Sequence, residues 1–166
     1  MLGVGVLNID HNITAIGGFV GASLWKGLAS RVGLAVDLTF GAYGVGYFPT
    51  GASNAYATEA STISAGVSVP IRTFWRVYLA PTGAISQMWF SKNVAEVSTK
   101  QSGGTTMTTE LVLNDESMLL LGVEAALLLG QRNNIKLVGR IYAPPIAHES
   151  MDGPFVTGSI SYGFFP

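Results

Sequence analysis

His148 and Ser150 are the two residues whose types and spacing could support hydrolytic chemistry. A serine nucleophile needs a histidine within hydrogen-bond reach to accept its proton, and a carboxylate to orient that histidine. Pro144-Pro145 precede the pair, and they favour a solvated loop over an ordered catalytic site. His11 could approach His148 from another loop, but two histidines make a poor metal site, so we expect no bound metal.

A second group of candidate residues consists of charges inside otherwise apolar segments. Its members are Asp37, Arg76, Glu124, Lys136 and Arg140. A short turn centred at Arg132 places Glu124 opposite Arg140, so that the two could form an ion pair. Removing one partner of a buried ion pair costs about 3–5 kcal/mol. The group could form a proton or ion path, or a polar network that fills an interior, and we favour the structural interpretation.

The composition restricts where such a chain can reside. The 166 residues have the length of one domain, 1–166, with 48% hydrophobic and only 11% charged residues, against about 25% charged in typical soluble domains. The net charge of -1 argues against nucleic-acid binding, which requires a basic surface. The chain has no cysteine for metal ligation or catalysis. The outer surface must therefore face lipid or be covered by other subunits.

The residues between the turn signals favour strands over helices. Glycine is scattered through the apolar segments, where each would weaken a helix by about 1 kcal/mol, and Val, Ile, Thr, Tyr, Phe and Trp dominate there. We predict an all-β chain of eight strands joined by alternating short and long connections. The predicted strands cover about residues 2–9, 13–26, 30–48, 55–71, 74–98, 105–129, 134–146 and 154–165, with short turns near 27–30, 71–74 and 130–134.

Folding each hairpin symmetrically about its tip gives a predicted register. The predicted pairs are Met1 with Gly21, Arg31 with Thr73, Trp75 with Leu129, and Ile135 with Phe165. Residues 23–26 then extend past the first strand, so we expect that strand to be truncated at its N-terminus and a signal peptide to lie upstream.

Alternate residues of a strand point to opposite faces, and the charges follow this alternation. On the third, fourth, sixth, seventh and eighth strands they share a face with small and polar residues, while the other face is apolar. A Lys or Arg facing lipid at mid-bilayer costs about 2–4 kcal/mol, so we expect the charges to point inward. The second strand is apolar on both faces, and its sequence does not orient it. The whole pattern predicts an eight-stranded antiparallel up-and-down transmembrane β-barrel.

Aromatic and polar residues indicate the edges of the membrane-facing band. Trp75 and Trp89 lie fourteen residues apart on the fifth strand, which spans roughly 30–35 Å at the usual tilt. We predict an aromatic girdle formed by Trp75, Trp89, Tyr162 and Phe164. Beyond Trp89 the hairpin 90–116 becomes polar, and we predict that it projects from the membrane as a protein contact surface. Its candidate contact residues are Lys92, Glu96, Lys100, Glu110 and Glu116.

This pattern resembles the small eight-stranded outer-membrane barrels of Gram-negative bacteria, the OmpX/Ail and OmpA-barrel type, over nearly the whole chain. The segment 160–166 resembles the family's aromatic terminal strand, although Pro166 follows the last aromatic residue. The resemblance implies an outer-membrane location, surrounding lipid or lipopolysaccharide, and recognition of the terminal strand by the barrel-insertion machinery. It implies no cofactor.

Three functions are compatible with the sequence. We favour a non-enzymatic anchor, structural or surface-binding component, because an eight-stranded barrel is just wide enough for its own side chains and leaves no open pore. The second is a lipid-modifying hydrolase, since His148 and Ser150 resemble the Ser-His pair of the outer-membrane lipid A deacylases. The third is a β-subunit of a larger membrane complex whose apolar outside is covered by protein.

Overall fold

The computed structural model describes residues 1–10, 13–26, 31–47, 56–92, 94–100, 106–129, 135–143 and 153–163. Within these residues the chain forms eleven β-strands. They are β1 (Leu2–Asp10), β2 (Ile13–Lys26), β3 (Leu34–Tyr47), β4 (Tyr56–Ser68), β5 (Ile71–Phe74), β6 (Val77–Phe90), β7 (Val94–Lys100), β8 (Thr106–Val112), β9 (Glu116–Leu129), β10 (Ile135–Ala143) and β11 (Phe155–Tyr162). In the described part of the chain, no helix has the length and apolar character that crossing a membrane requires.

Eight of these strands close into one antiparallel barrel. Their order around the barrel is β1-β2-β3-β4-β6-β9-β10-β11, and β11 pairs again with β1. The closing ladder runs from Leu2 opposite Ile160 to Leu7 opposite Phe155. The prediction of an all-β, closed, eight-stranded antiparallel barrel is therefore confirmed.

The predicted fourth strand is divided into β4 and β5 by Val69 and Pro70. Pro81 of β6 lies at the height of this interruption, since the ladder with β4 ends at Thr82 and the ladder with β5 begins at Leu79. Proline has no N–H to donate to a neighbouring strand. At the interruption, the N–H of Val69 donates to the carbonyl oxygen of Pro81 at 3.1 Å.

The short turn between β5 and β6 is formed by Trp75 and Arg76, so its prediction at 71–74 was wrong. Ile71 is in a strand because it pairs with both Leu79 and Val32. The Thr73 hydroxyl donates to the carbonyl oxygen of Val77 at 3.1 Å and supports the turn. Trp75 has a φ of 46°, in the left-handed region that bulky residues rarely adopt.

The predicted fifth and sixth strands each continue beyond the barrel as a separate strand. β7 and β8 pair from Val94 opposite Val112 to Lys100 opposite Thr106, in a two-stranded sheet of their own. The barrel ladder between β6 and β9 ends at Met88 opposite Glu116. Beyond it, the N–H of Phe90 donates to the Asp115 carboxylate at 2.9 Å, and Leu113 is buried. The barrel ladder therefore ends before the hairpin ladder begins, and these contacts lie between the two.

Two of the four predicted registers need correction. The register of Trp75 with Leu129 agrees with the β6–β9 ladder, in which Val77 pairs with Leu127. Met1 pairs with Gly21 as predicted, through two backbone hydrogen bonds of 2.9 Å. Arg31 lies opposite Arg72 instead of Thr73, and Ile135 lies opposite Tyr162 instead of Phe165.

The side chains are sorted between an apolar outside and a mixed inside, as the alternation predicted. On β3, for example, Leu34, Val36, Leu38 and Phe40 are exposed, whereas Ala35 and Asp37 are buried. The structure also orients β2. Its inward residues are Ala15, Phe19 and Trp25, and its outward residues are Ile16, Val20 and Leu24.

Candidate functional site in the barrel interior

The barrel interior contains charged residues between two apolar clusters. The cluster toward the β7–β8 end includes Tyr43, Val45, Met88, Phe90, Leu113, Met118, Leu120 and Tyr142. The cluster toward the short-turn end is formed by Trp25, Ala35, Tyr78, Ala126, Leu128 and Val138. Asp37, Glu124, Lys136 and Arg140, which we call the charged cluster, are each at most 5% exposed.

Arg140 is the centre of the charged cluster. Its Nε donates to Glu124 Oε2 at 2.6 Å, and its second guanidinium nitrogen donates to Asp37 Oδ2. Glu124 on β9 lies directly opposite Arg140 on β10, as the turn at 130–134 predicted. Asp37 comes from β3, which neighbours neither β9 nor β10. Arg140 therefore links two walls of the barrel across its interior.

Lys136 extends the charged cluster toward the short-turn end. Its side chain is fully buried, its Nζ donates to Ser23 Oγ at 2.7 Å, and it lies 4.2 Å from the centroid of the Trp25 ring. Ser23 is opposite Asp37 in the β2–β3 ladder, so the ammonium lies on the Asp37 side of the cluster. The Trp25 ring also packs edge-on against Tyr78, with centroids 5.9 Å apart. The aromatic face and the hydroxyl together stabilise a cation that water does not reach.

The charges of the cluster balance, but their hydrogen bonding is incomplete. Two carboxylates face one ammonium and one guanidinium, so the formal sum is zero. Asp37 Oδ1 and Glu124 Oε1 are buried without a hydrogen-bond partner among the described residues. A cavity of about 40 Å³, lined by Arg140, Tyr142 and Thr157 among others, is large enough for water. The geometry suits a neutral polar layer held between apolar layers.

Arg76 was predicted to join the interior charges, and the structure places it elsewhere. It is half-buried in the turn that follows β5, and its guanidinium carbon lies 5.1 Å from the centroid of the Trp75 ring. The prediction failed because it placed the turn at 71–74 and so assigned Arg76 to the strand itself. The correct turn makes Arg76 a residue of the barrel mouth.

The predicted aromatic residues lie at both ends of the barrel. Trp75 and Tyr162 are 61% and 79% exposed at the short-turn end, and Trp89 is 40% exposed near the other end. Trp75, however, is in the turn and not on the outward face of a strand. Phe164 lies outside the described residues.

The remaining candidates are only partly covered by the structure. Lys92 is exposed and Glu116 is half-buried, where the barrel meets the hairpin. Glu96, Lys100 and Glu110 lie on β7 and β8, where only the backbone is described. His11, His148 and Ser150 lie outside the described residues. Among the residues that are described, no group of three or more acidic or histidine side chains could hold a metal ion.

Ser23 and Trp25 belong to the site, although the sequence pattern does not predict them. Both faces of β2 are apolar, so its alternation alone gives no orientation. Pairing of β2 with β3 would have predicted their inward orientation. Ser23 lies opposite Asp37, and because paired residues share a face, an inward Asp37 makes Ser23 and Trp25 inward as well.

Comparisons of the chain with protein-family models, with curated proteins and with solved structures find no match.

Proposed function

We propose that this chain is a non-enzymatic transmembrane β-barrel of the bacterial outer membrane, serving as an anchor, a structural component or a surface-binding protein. The observation that carries the proposal is the outward surface of the barrel. Among outward side chains that the structure describes on the barrel strands, Lys26 and Glu59 carry charge, and both lie near strand ends. Between these ends the outward residues are mostly large and apolar.

The height of this apolar surface matches the thickness of a membrane. On β9 the outward face is apolar from Leu119 to Leu129. Ten residues at about 3.3 Å each, on a strand tilted by about 40°, cover roughly 25 Å, which is the usual height of the lipid-facing band of such barrels. A soluble protein would leave this surface exposed to water, against the usual limit on apolar patches.

The filled interior supports a role other than that of a pore. Side chains of β2, β3, β4, β6, β9 and β10 meet in two apolar clusters and one charged cluster. An eight-stranded barrel is just wide enough for such filling. The proposed role needs no cofactor, and the direct surroundings of the barrel are outer-membrane lipid or lipopolysaccharide. We assign insertion to recognition of the β11 strand by the barrel-insertion machinery, on the resemblance of segment 160–166.

The β7–β8 hairpin is the proposed contact surface for a protein partner. In the described part of the chain these two strands pair with each other and with no barrel strand. Each strand has seven residues, so the hairpin extends about 20 Å past the barrel rim. A projection of this length would reach beyond lipid headgroups.

Membrane extraction followed by reconstitution tests the proposal. We expect the protein to remain in the membrane fraction until detergent is added, and to refold into phosphatidylcholine vesicles with β-sheet circular dichroism and resistance to external protease. Solubility without detergent would contradict the proposal and favour a subunit covered by other proteins. Lipid hydrolysis that is lost on Ser150→Ala substitution would contradict the non-enzymatic role.

A further inference from the structure

Positive charge is concentrated at the short-turn end of the barrel. The segments that lead into and out of this end, 22–36, 68–80 and 127–138, contain six of the nine Lys and Arg residues and none of the ten Asp and Glu residues. At the opposite end lie Glu59, Asp115 and Glu116. The barrel therefore has one basic end. Among the basic residues that the structure describes there, Lys136 belongs to the charged cluster, and we call the other four the basic mouth: Lys26, Arg31, Arg72 and Arg76.

Arg31 and Arg72 form a like-charge pair within the basic mouth. An antiparallel bridge joins Val32 to Ile71, and the N–H of Arg72 donates to the carbonyl oxygen of Arg31 at 2.9 Å. The two arginines consequently lie opposite each other on neighbouring strands. Arg72 also pairs with the inward residue Tyr78, so both arginines are on the inward face of the wall, and both are exposed at its rim. Like charges in this relation destabilise a sheet. A bound anion would reverse that effect, and guanidinium groups bind phosphate oxygens in bidentate fashion.

Exposed aromatic side chains lie beside these bases. Phe74 is 75% exposed and Trp75 61% exposed, and the guanidinium of Arg76 lies over the Trp75 ring. The left-handed φ of Trp75 is strained for a residue with a side chain, and such strain is common where a group must be presented to a ligand. Lys26 ends β2 on the outward face. Basic and aromatic residues side by side are typical of the headgroup region of a membrane.

We infer that the basic mouth binds the phosphate groups of anionic phospholipid headgroups, with Arg31 and Arg72 as the principal ligands. The inference rests on the proposed membrane location and adds a lipid class and a binding site to it. A lipid is favoured over a soluble phosphate compound because the exposed aromatic residues Phe74 and Trp75 follow Arg72 at the same strand end, and Lys26 ends the outward face of β2. Arg76 contributes charge from the same turn as Trp75.

Fluorescence quenching of Trp75 by lipids with a spin-labelled headgroup tests this inference. The protein carries Trp25→Phe and Trp89→Phe, so that Trp75 is its only tryptophan, and is refolded into phosphatidylcholine vesicles that contain labelled phosphatidylglycerol or labelled phosphatidylcholine. We expect phosphatidylglycerol to bind near Trp75 about fivefold more strongly at low ionic strength. The preference should fall with added salt, and it should be lost in Arg31→Gln/Arg72→Gln.

Lys92→Gln, which removes an exposed charge at the other end, is the matched control and should keep the preference. Equal quenching by both lipids in a protein that has inserted, or an unchanged preference in the double arginine variant, overturns the inference alone. A basic mouth that binds soluble pyrophosphate but shows no preference for phosphatidylglycerol is a site for a free phosphate compound, and that result also overturns the inference. A protein that inserts into neither vesicle overturns the proposed function together with the inference.

If the tryptophan replacements impair folding, unfolding by urea gives a second measurement on the natural chain. We expect added phosphatidylglycerol to raise the free energy of unfolding of the wild-type protein and of Lys92→Gln. The double arginine variant should show no such gain. A gain of equal size in all three proteins contradicts the assignment of Arg31 and Arg72.

Discussion

Arg140 connects carboxylates from two walls of the barrel, and its replacement provides the sharpest test at the scale of single residues. In Arg140→Met, Asp37 and Glu124 keep their buried positions and lose the guanidinium that binds both. We expect the free energy of unfolding in lipid vesicles, measured with urea, to fall by about 3–5 kcal/mol.

The matched control restores charge balance without restoring the hydrogen bonds. Glu124→Gln/Arg140→Met leaves one carboxylate, Asp37, together with Lys136, whose ammonium binds Ser23 next to Asp37. We expect this double variant to be more stable than Arg140→Met. Equal stability of the two variants would show that lost packing, and not an uncompensated buried charge, destabilises the single variant.

The sequence predicted individual interior residues well where a charge identified the inward face. Asp37, Glu124, Lys136 and Arg140 are all buried, because an unpaired charge on an apolar outer face is too costly to place there. Trp25 was not assigned, since an apolar residue fits either face of β2. The link from Arg140 to Asp37 was also beyond prediction, because it crosses the barrel and depends on how the strands are staggered around it.

At the scale of elements, the β7–β8 hairpin is a separable extension of the barrel. Its two strands pair only with each other in the part of the chain described. We expect deletion of residues 96–110, with a short glycine linker in their place, to leave the barrel folded with a free energy of unfolding within about 0.5 kcal/mol of wild type. The truncated protein should lose binding to any partner that the full-length protein captures by cross-linking.

A control deletion can be made inside the barrel rim. Leu113 is buried in the core cluster, so removing residues 113–115 as well should destabilise the barrel and lower the yield of refolded protein. If the shorter deletion already prevents refolding, the hairpin is part of the barrel's folding unit and our division of the two is wrong.

Strands were predicted better than the turns and registers that join them. The alternation of apolar and polar residues predicted the strands of the barrel. The assumption that each loop is centred on its tip placed Ile135 opposite Phe165, whereas it pairs with Tyr162. Loop residues need not be shared equally between two strands, so the middle of a loop does not fix a register. The Trp75–Arg76 turn was missed because turns are recognised by residues that tolerate positive φ, and tryptophan is not among them.

At the scale of the whole molecule, the proposed membrane location is an inference from the sidedness of the barrel. Val123 is 62% exposed at the middle of the outward face of β9, and Leu119 lies near one edge of the same face. We expect Val123→Arg to lower the free energy of unfolding in vesicles by about 2–4 kcal/mol, and Leu119→Arg by about 0–1 kcal/mol, because the cost of a charge falls from the centre of a bilayer toward its surfaces. A barrel in water would show no such dependence on position, since both residues would face solvent. Urea titrations of the two variants in phosphatidylcholine vesicles measure the difference, and equal losses would contradict a membrane-spanning barrel.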